Sequence, residues 1–259
     1  MVKNENHKLI MKTVNSLKRG LQVLKLINEH GGCQIKDLQG LVDLPKPTII
    51  RMVKTLHEAG YVSRDPSGAY KVSAKVMALS NRYDLDEDLM IAARPVLEKL
   101  RREITWPSDL ASFDGDAMVI LDTGEDPGTL GLNRSRGSRL PVLSTSLGRA
   151  YLAFIDPPEQ LEVLHHLIGL EQKQGLGKTS LSRIKRILGE TRSNGYAIGD
   201  AEYIKETRAA AVPILVGGKP IATLNLMVMP AMMSIEEVEK QFVQSLRDAA
   251  ARIAAALSR

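Results

Sequence analysis

The stretch from Gln34 to Val72 constrains the fold of this chain more than any other. It is patterned as a helix, a tight turn, a second helix and a short hairpin, in that order. The second helix begins near Pro45 and Pro47, and proline is favoured in the first turn of a helix. Its apolar residues recur at i, i+3, i+4 and i+7, which predicts a buried stripe of Ile49, Met52, Val53 and Leu56. This arrangement is typical of a winged helix-turn-helix, a module that reads DNA.

The faces of the second helix outside the stripe carry Lys, Arg and Thr, and such a helix can lie in a major groove. Gly60 follows as the helix stop. The turn at residues 65–68 joins two alternating segments into a wing. From the helix we expect DNA contacts by Lys46, Pro47, Thr48, Ile50, Arg51, Lys54 and Thr55. From the wing we expect phosphate contacts by Arg64 and Lys71. The alternative for each residue is an ordinary solvated surface.

The distribution of charge favours the DNA interpretation. Residues 1–80 carry a formal charge of +7, whereas residues 81–259 carry −2. Positive charge therefore collects on the segment that has the helix-turn-helix pattern, as expected for a surface that binds phosphates.

Two further helices frame this module. Apolar residues at helical spacing predict a first helix that completes the core of the small domain; they are Val14, Leu17, Leu21, Leu24 and Ile27. After the wing, residues 84–104 predict a longer helix with acids at its start, bases at its end and a wide apolar face. Pro95 should kink or divide it. We interpret it as a linker helix whose apolar face needs a covering partner, for which a second chain is a candidate.

From Trp106 onward the pattern mixes helices and strands. Turn residues at 114–116 and 217–218 predict two hairpins, residues 129–133 a further strand, and residues 145–155, 158–168 and 179–194 helices. Ser234 and Glu237 fit a capping box at the start of the last helix. We predict an α+β protein with a mobile N-terminus (1–12), a winged helix-turn-helix domain (13–78), a linker helix (79–104) and an antiparallel-sheet domain (105–259) that binds an effector and oligomerises.

Composition and missing motifs narrow the functional classes. The chain has a single cysteine, no signal-peptide pattern and no apolar run long enough for a membrane span, which predicts a cytoplasmic protein with no membrane partner. It has no phosphate loop and no nucleophile motif, and the adjacent His165 and His166 cannot both face one metal on a helix. We therefore expect no enzyme, catalytic residue, cofactor or metal. The competing interpretations are an enzyme that converts a small molecule and an RNA-binding winged-helix protein.

Nearly the whole chain resembles the IclR family of bacterial transcription regulators. The resemblance lies in LKRGLQVLKLI, KPTIIRMVKTLHEAGYV, GAYKVS, SRLPVLSTSLGRAYLAF, GYAIGDAEY and the pair AAAVPI and ATLNLMV, in the family's order. It implies a winged helix, a linker helix and a GAF-like effector domain, in a homodimer or dimer of dimers on double-stranded operator DNA. The segment ITWPSDLASFDGDAMVI is similar to members that control breakdown of aromatic acids such as hydroxyphenylpropionates. The effector would be a small organic or aromatic acid that either releases the protein from DNA or recruits RNA polymerase.

The resemblance also implies where the effector binds. Carried over by motif, the pocket residues are Leu132, Leu140, Ser146, Leu147, Gly199, Asp200, Ala209, Asn225 and Met227. The chain departs from many members at Leu143, where they have His, and at Arg149, where they have Lys. Arg149 or Arg139 could neutralise a ligand carboxylate, or either could form a structural ion pair instead.

Overall fold

The computed structural model describes residues 13–79, 87–124, 134–174 and 179–258. The chain divides into two compact units, Met1–Asp84 and Leu85–Arg259. The predicted N-terminal segment 1–12 and the predicted strand at 129–133 lie outside the described residues.

The first unit is a winged helix-turn-helix, as predicted. Its strands pair antiparallel, with Val62 opposite Val72, and the wing begins directly after the recognition helix. The elements are α1 (Asn15–Glu29), α2 (Ile35–Leu41), α3 (Lys46–Glu58), β1 (Val62–Arg64), β2 (Tyr70–Val72) and a 3-10 turn (Ala74–Leu79).

Its small core differs from the prediction at the first helix. The buried residues of α1 are Val23 and Ile27, which pack with side chains of α2, α3 and the wing. The predicted core residues Val14, Leu17 and Leu21 are instead 64%, 63% and 57% exposed. The reason is that residues 13–19 are exposed throughout and only the C-terminal part of α1 enters the core. Three apolar side chains therefore form an exposed row on α1.

The second unit is built on a six-stranded antiparallel sheet in the order β5-β4-β3-β8-β7-β6. The two edge strands were not predicted, because three or four residues are too few to show an alternating pattern. The strands are β3 (Asp109–Phe113), β4 (Ala117–Thr123), β5 (Arg139–Pro141), β6 (Ala197–Asp200), β7 (Arg208–Val216) and β8 (Lys219–Val228). The helices are α4 (Glu87–Glu103), α5 (Ser146–Leu152), α6 (Pro157–Gln174), α7 (Leu181–Asn194) and α8 (Ile235–Leu257).

The two faces of the sheet carry separate cores. On one face, alternate residues such as Leu224 and Leu226 of β8 pack in a cluster with α4 and α8. On the other face, residues such as Ile120 and Ala211 pack in a cluster with α5, α6 and α7. Because successive side chains of a strand point to opposite faces, one strand supplies both layers. The predicted capping box at Ser234 and Glu237 is present and starts α8.

The α4 helix packs within the second unit, and its apolar face is covered by this same chain. Leu89, Ala93 and Leu97 are at most 1% exposed and belong to the core that α8 and the sheet share. Pro95 does not divide the helix. It lies on the exposed side of the helix. Because proline has no backbone N–H, the carbonyl of Ile91, four residues earlier, has no donor within the helix and can accept from water instead. The domain borders themselves stay predictions.

One glycine lets α5 approach the preceding segment closely. A Cβ on Gly148 would lie 2.1 Å from the carbonyl oxygen of Val142, too close for any other residue without movement of the backbone. The same glycine donates its N–H to the Thr145 hydroxyl, 3.2 Å away, which caps the helix. This contact fixes the first turn of α5 against the sheet. In the part of the chain that the structure describes, no helix combines the length and apolar composition that a membrane span needs.

The packing of α4 predicts where an independently folding fragment must begin. We expect a fragment of residues 85–259 to unfold cooperatively, and a fragment of residues 105–259 to be strongly destabilised or unfolded. The shorter fragment lacks several buried leucine side chains, each worth about 1.5–3 kcal/mol, against a typical total stability of about 5–15 kcal/mol. Urea titration followed by the fluorescence of Trp106, the sole tryptophan, measures both. Equal midpoints for the two fragments would show that α4 is a linker outside the domain core.

Candidate functional site

The solvent face of α3 carries the predicted DNA-contacting side chains. Lys46, Pro47, Arg51 and Lys54 are exposed, and Ile50 among them is 44% exposed although it is apolar. Lys46 and Arg51 make no ion pair with any described residue. Lys54 lies 3.7 Å from Glu58, an exposed pair of the kind that contributes little to stability. The face therefore presents three cations around one apolar side chain.

The two threonines of α3 differ in their surroundings. Thr48 is half-buried, whereas Thr55 is exposed and its hydroxyl donates to the backbone carbonyl of Arg51 at 2.9 Å. Thr55 therefore already has a hydrogen-bond partner within the helix. Both residues lie beside α1, where they line a groove that the exposed Leu17 and Leu21 also line.

The wing turn is organised by one carboxylate. Asp65 accepts hydrogen bonds from the backbone N–H groups of Ser67, at 2.9 Å, and Ala69, at 3.1 Å, and also from the Ser67 hydroxyl. These bonds lower the pKa of Asp65 to about 2, and the bond from the Ser67 hydroxyl contributes most to the shift. Lys71 lies 3.2 Å from this carboxylate, and the guanidinium of Arg64 lies over the ring of Tyr70. Both predicted wing cations are exposed, and both already have a neighbour that holds them near the turn.

In the second unit, one cavity lies on the sheet face that α5 covers. Residues Asn225 and Met227 of β8 point into it, because they alternate with Leu224 and Leu226 of the opposite core. Ala209 reaches it from β7, the neighbouring strand. Apolar surface dominates the wall, and in the present conformation about 50 Å³ is open to the centres of water molecules. The cavity thus has room for a few waters and must widen to admit a larger ligand.

A buried ion pair forms the polar end of this cavity. Arg134 donates through Nη1 to Oδ2 of Asp109, and their side chains are 6% and 0% exposed. The other carboxylate oxygen of Asp109, Oδ1, accepts from the Thr123 hydroxyl at 2.8 Å. The backbone N–H of Asp109 donates to Oδ1 of Asn225 at 2.8 Å. Burial raises the pKa of Asp109, while the Arg134 guanidinium and the Thr123 hydroxyl oppose that shift. The pair is electrically neutral as it stands.

Two further polar groups of the wall have no partner within the described part of the chain. Asn225 uses its carbonyl oxygen on Asp109, but its amide nitrogen makes no hydrogen bond there, and neither does the hydroxyl of Ser146. Both residues are 3% exposed and line the cavity. Because a buried polar group without a partner is costly, these two donors are suited to a ligand or to water.

The loop after β6 completes the wall with Ala201, Glu202, Tyr203, Ile204 and Thr207. A bidentate contact holds this loop: Nη1 of Arg149 donates to Oε1 of Glu202 at 2.6 Å, and Nη2 donates to Oε2. Ala201 has a φ of 53°, a left-handed conformation that is unusual for a residue with a Cβ. The loop is therefore fixed by a specific ion pair in a backbone conformation that it would not favour by itself.

The structure brings together seven of the nine residues carried over by motif. Asp200 does not line the cavity; its carboxylate accepts from Nε of Arg208 at 2.8 Å instead. Leu132 lies outside the described residues. The seven that line the cavity are Leu140, Ser146, Leu147, Gly199, Ala209, Asn225 and Met227.

The cations considered for a ligand carboxylate prove to be structural. Arg149 is 5% exposed and pairs with Glu202, and Arg139 binds Asp114 and Asp116 in the exposed β3–β4 turn. Arg134 is the cation at the cavity, and no sequence pattern identifies it because it precedes β5 in a non-repeating segment. Asp109 could have been found, since it lies two residues before the inward-facing Ala111 of β3 and therefore on the same face of the strand. Within the described ranges, no cluster of His, Cys, Asp and Glu could hold a metal ion.

Comparison with known proteins gives two family matches that together span most of the chain. The model for the C-terminal domain of IclR bacterial transcriptional regulators matches residues 83–255. The IclR helix-turn-helix model matches residues 16–66. The first of these covers more than half of the chain.

Individual relatives agree with these matches. The chain is 26% identical over 236 residues to the Pca regulon regulatory protein of Pseudomonas putida, covering 90% of this chain and 80% of that protein. A transcriptional regulator from Rhodococcus sp. RHA1 aligns with a TM-score of 0.69 and 27% identity, over 95% of this chain and 99% of that one. An IclR homolog from Microbacterium hydrocarbonoxydans, solved with 4-hydroxybenzoate, aligns with a TM-score of 0.69 and 22% identity, over 94% and 99%. The last likeness concerns the fold alone.

The buried pair makes a prediction about stability. Replacing Arg134 with Met leaves the Asp109 carboxylate buried without its guanidinium and should lower the free energy of unfolding by about 3–5 kcal/mol. Without Arg134 the pKa of Asp109 rises further, so the folded state holds a proton that the unfolded chain releases above about pH 4. The loss should therefore be greater at pH 8 than at pH 5.

Urea unfolding of the full chain at both pH values, followed by Trp106 fluorescence, measures this effect. The matched control is Arg139→Met, which removes an exposed pair and should change stability by at most about 1 kcal/mol. Equal losses for the two variants, or a loss at Arg134 that does not depend on pH, would mean that the buried pair has been misassigned.

Proposed function

Because the chain belongs to the IclR family of bacterial transcriptional regulators, we propose that it binds operator DNA as a homodimer or dimer of dimers, and that a small organic or aromatic acid controls this binding. The chain is a transcriptional regulator and not an enzyme. The regulated genes belong to a catabolic operon, the protein acts in the cytoplasm, and RNA polymerase is its partner where the ligand activates transcription. The observation that carries this proposal is that one unit has a recognition helix with an exposed basic face and the other has a partly open cavity with a charged end.

In this proposal the exposed face of α3 recognises the base sequence of the operator. Arg51 can donate two parallel hydrogen bonds to a guanine edge, and the apolar Ile50 can contact the methyl group of a thymine. Lys46 and Lys54 lie one turn to either side of Ile50 and suit phosphates or guanine edges. Arg64 and Lys71 of the wing suit phosphates, which fix the register but carry no sequence information. Pro47, Thr48 and Thr55 complete the proposed interface.

Self-association is supported by the exposed row on α1. Val14, Leu17 and Leu21 are spaced at i, i+3 and i+7, so they lie along one side of the helix, and each is more than half exposed. A second copy of this chain could cover such a row. Two recognition helices would then read half-sites about one helical turn of DNA apart, or a multiple of it.

The ligand class is inferred from the cavity. Apolar side chains form most of its wall, Arg134 and Asn225 both contact Asp109 at its polar end, and Ser146 also lines it. An apolar cup with a few convergent polar groups is the usual form of a small-molecule site, and a guanidinium is suited to a carboxylate. The names of two similar proteins point the same way, since one regulates the Pca regulon and the other was solved with 4-hydroxybenzoate. We include aromatic acids of the phenylpropionate type in this class.

Selection of bound duplexes from random DNA, followed by anisotropy titrations at several salt concentrations, tests the DNA assignment directly. A selected duplex should bind more tightly than random DNA by at least about 1000-fold, and RNA of the same sequence should bind no better than random DNA. Affinity should fall steeply with salt, because phosphate contacts release counterions. Equal affinity for selected DNA, random DNA and RNA would refute a sequence-specific regulator.

The face of α3 gives a mutational prediction. Replacing Arg51 and Lys54 together with Ala should weaken binding to the selected duplex by about 1–3 kcal/mol for each base that the wild-type side chain recognises. The control is Lys185→Ala with Arg186→Ala on α7, which removes the same charge from the second unit. If both double variants bind as the wild type does, the assigned face is incorrect. If the Arg51 and Lys54 variant weakens all sequences alike, its contacts are to phosphate only.

The unpartnered hydroxyl in the cavity gives a second prediction. Ser146→Ala removes a hydrogen-bond donor that no described residue uses, so the protein should keep its stability but bind phenylpropionate about 0.5–1.5 kcal/mol more weakly. The control is Thr223→Val, which removes a hydroxyl that is also buried beside the sheet but does not line the cavity. Calorimetry measures both variants. Wild-type affinity in Ser146→Ala would place the ligand elsewhere.

A further inference from the structure

Among the residues that the structure describes, the charged groups around the cavity form ion pairs, which restricts how an anion can enter. Arg134 pairs with Asp109 in the cavity wall. Arg149 pairs with Glu202 on the loop that closes the cavity. On the far side of Asp109, Arg101 of α4 lies 2.5 Å from Asp122 of β4. An entering carboxylate would therefore add one uncompensated negative charge to a buried site, which is strongly unfavourable.

A proton can remove this excess charge, and the structure distinguishes the carboxylate that would accept it. Asp109 is fully buried and contacts the guanidinium that a ligand would approach. Glu202 is 32% exposed and is held by both terminal nitrogens of Arg149. Asp122 is 28% exposed and directly paired with Arg101. Asp109 is the least solvated of the three and the nearest to a ligand on Arg134.

We propose that a carboxylate ligand binds against Arg134 and that Asp109 takes up one proton from solvent as the ligand enters. This inference rests on the proposed function, since it assumes that the ligand is an acid. The balance is simple: one anion and one proton enter together, and the net charge of the cavity is unchanged. The protonated Asp109 then becomes a hydrogen-bond donor, so the two carboxyl groups share the proton across one hydrogen bond.

The surroundings of Asp109 suit both protonation states. The ionised form accepts from Arg134 and from the Thr123 hydroxyl, as observed. When Oδ2 is protonated it can donate a hydrogen bond, and the charge of the Arg134 guanidinium is no longer balanced by Asp109. Burial already favours the neutral form of Asp109, and a second carboxylate beside it favours that form further. Among the described residues, the charged groups that act on Asp109 are Arg134, Arg101 and Asp122.

The test is calorimetry of the full-length wild-type protein with phenylpropionate and with 4-hydroxybenzoate, in two buffers that differ in heat of protonation. We expect uptake of close to one proton for each acid bound at pH 7. Affinity should fall about tenfold for each pH unit between the pKa of Asp109 in the empty protein and its higher pKa in the complex. The ligand carboxyl is ionised throughout that range, so its own titration in solution does not supply the proton. Phenylpropionamide, which brings no charge, should bind without proton uptake.

The variant Asp109→Asn has an uncharged side chain at this position at every pH, so Asp109 no longer balances the charge of Arg134. It should bind the acids more tightly than the wild type, by a factor that grows about tenfold for each pH unit above the pKa of Asp109 in the empty protein, with no proton uptake and no pH dependence. The control is Asp200→Asn, whose carboxylate pairs with Arg208 and does not line the cavity; it should keep the uptake of the wild type. If Asp109→Asn does not fold, the number of protons that the wild type takes up for each acid bound still tests the proposal.

The outcomes separate two failures. If an acid binds the wild type with no proton uptake, Asp109 is not the proton acceptor and the inference is overturned while the proposed ligand class stands. If neither acid binds the folded wild type or the folded Asp109→Asn variant, the proposed ligand class fails, and this inference fails with it.

Discussion

Side chains alternate across the two faces of β8, and both the hydrophobic core and the candidate cavity depend on that alternation. Leu224 and Leu226 point towards α4 and α8, where they are fully buried. Asn225 and Met227 point towards α5 and form part of the cavity wall. Because each residue on one face fixes the orientation of its neighbour on the other, a shift of register by one residue would turn Asn225 and Met227 into the core under α4 and α8 and place leucine in the cavity. The stability of the second unit therefore holds its polar site in place.

Buried charge is the second constraint on this unit. Asp109 and Arg134 cost free energy to desolvate, and their mutual attraction together with the bonds from Thr123 and to Asn225 offsets that cost. Replacing such a pair with apolar residues would often give an equally stable fold. The pair thus gives the cavity a chemical preference that stability alone does not require.

Sequence patterns predicted the first unit well because its elements carry independent signals. The stripe of α3, the prolines before it and the turn residues of the wing each indicate the same structure. The patterns failed on α1, because spacing alone cannot show that Val14 and Leu17 extend beyond the small core. They also suggested that Pro95 would kink or divide α4. A single sequence does not show that Pro95 lies on the solvent side, where water replaces the lost backbone donor.

In the second unit, motif likeness located most of the cavity wall but not its charged end. Ser146 and Asn225 lie in segments that resemble the family, so their positions could be carried over. Arg134 and the loop at residues 201–207 could not be found this way, because their place depends on long-range contacts such as the pair between Arg149 and Glu202. Asp109 stands close to a predicted turn, where aspartate is common, although the alternation of β3 directs it inward. Ion pairs between residues that are distant in sequence depend on the fold, so they produce no periodic pattern in the amino-acid sequence.

In the proposed function, occupation of the cavity changes DNA binding by the first unit. A ligand can shift a conformational equilibrium only by its differential affinity for the two states, and any such coupling acts equally in both directions. The direct measurement is the affinity of the full chain for its selected duplex with and without saturating phenylpropionate, together with the affinity for phenylpropionate with and without that duplex. The account predicts that both affinities change by the same factor, in the range of about 5–150-fold. An acid that binds the cavity while the DNA affinity stays unchanged would contradict it.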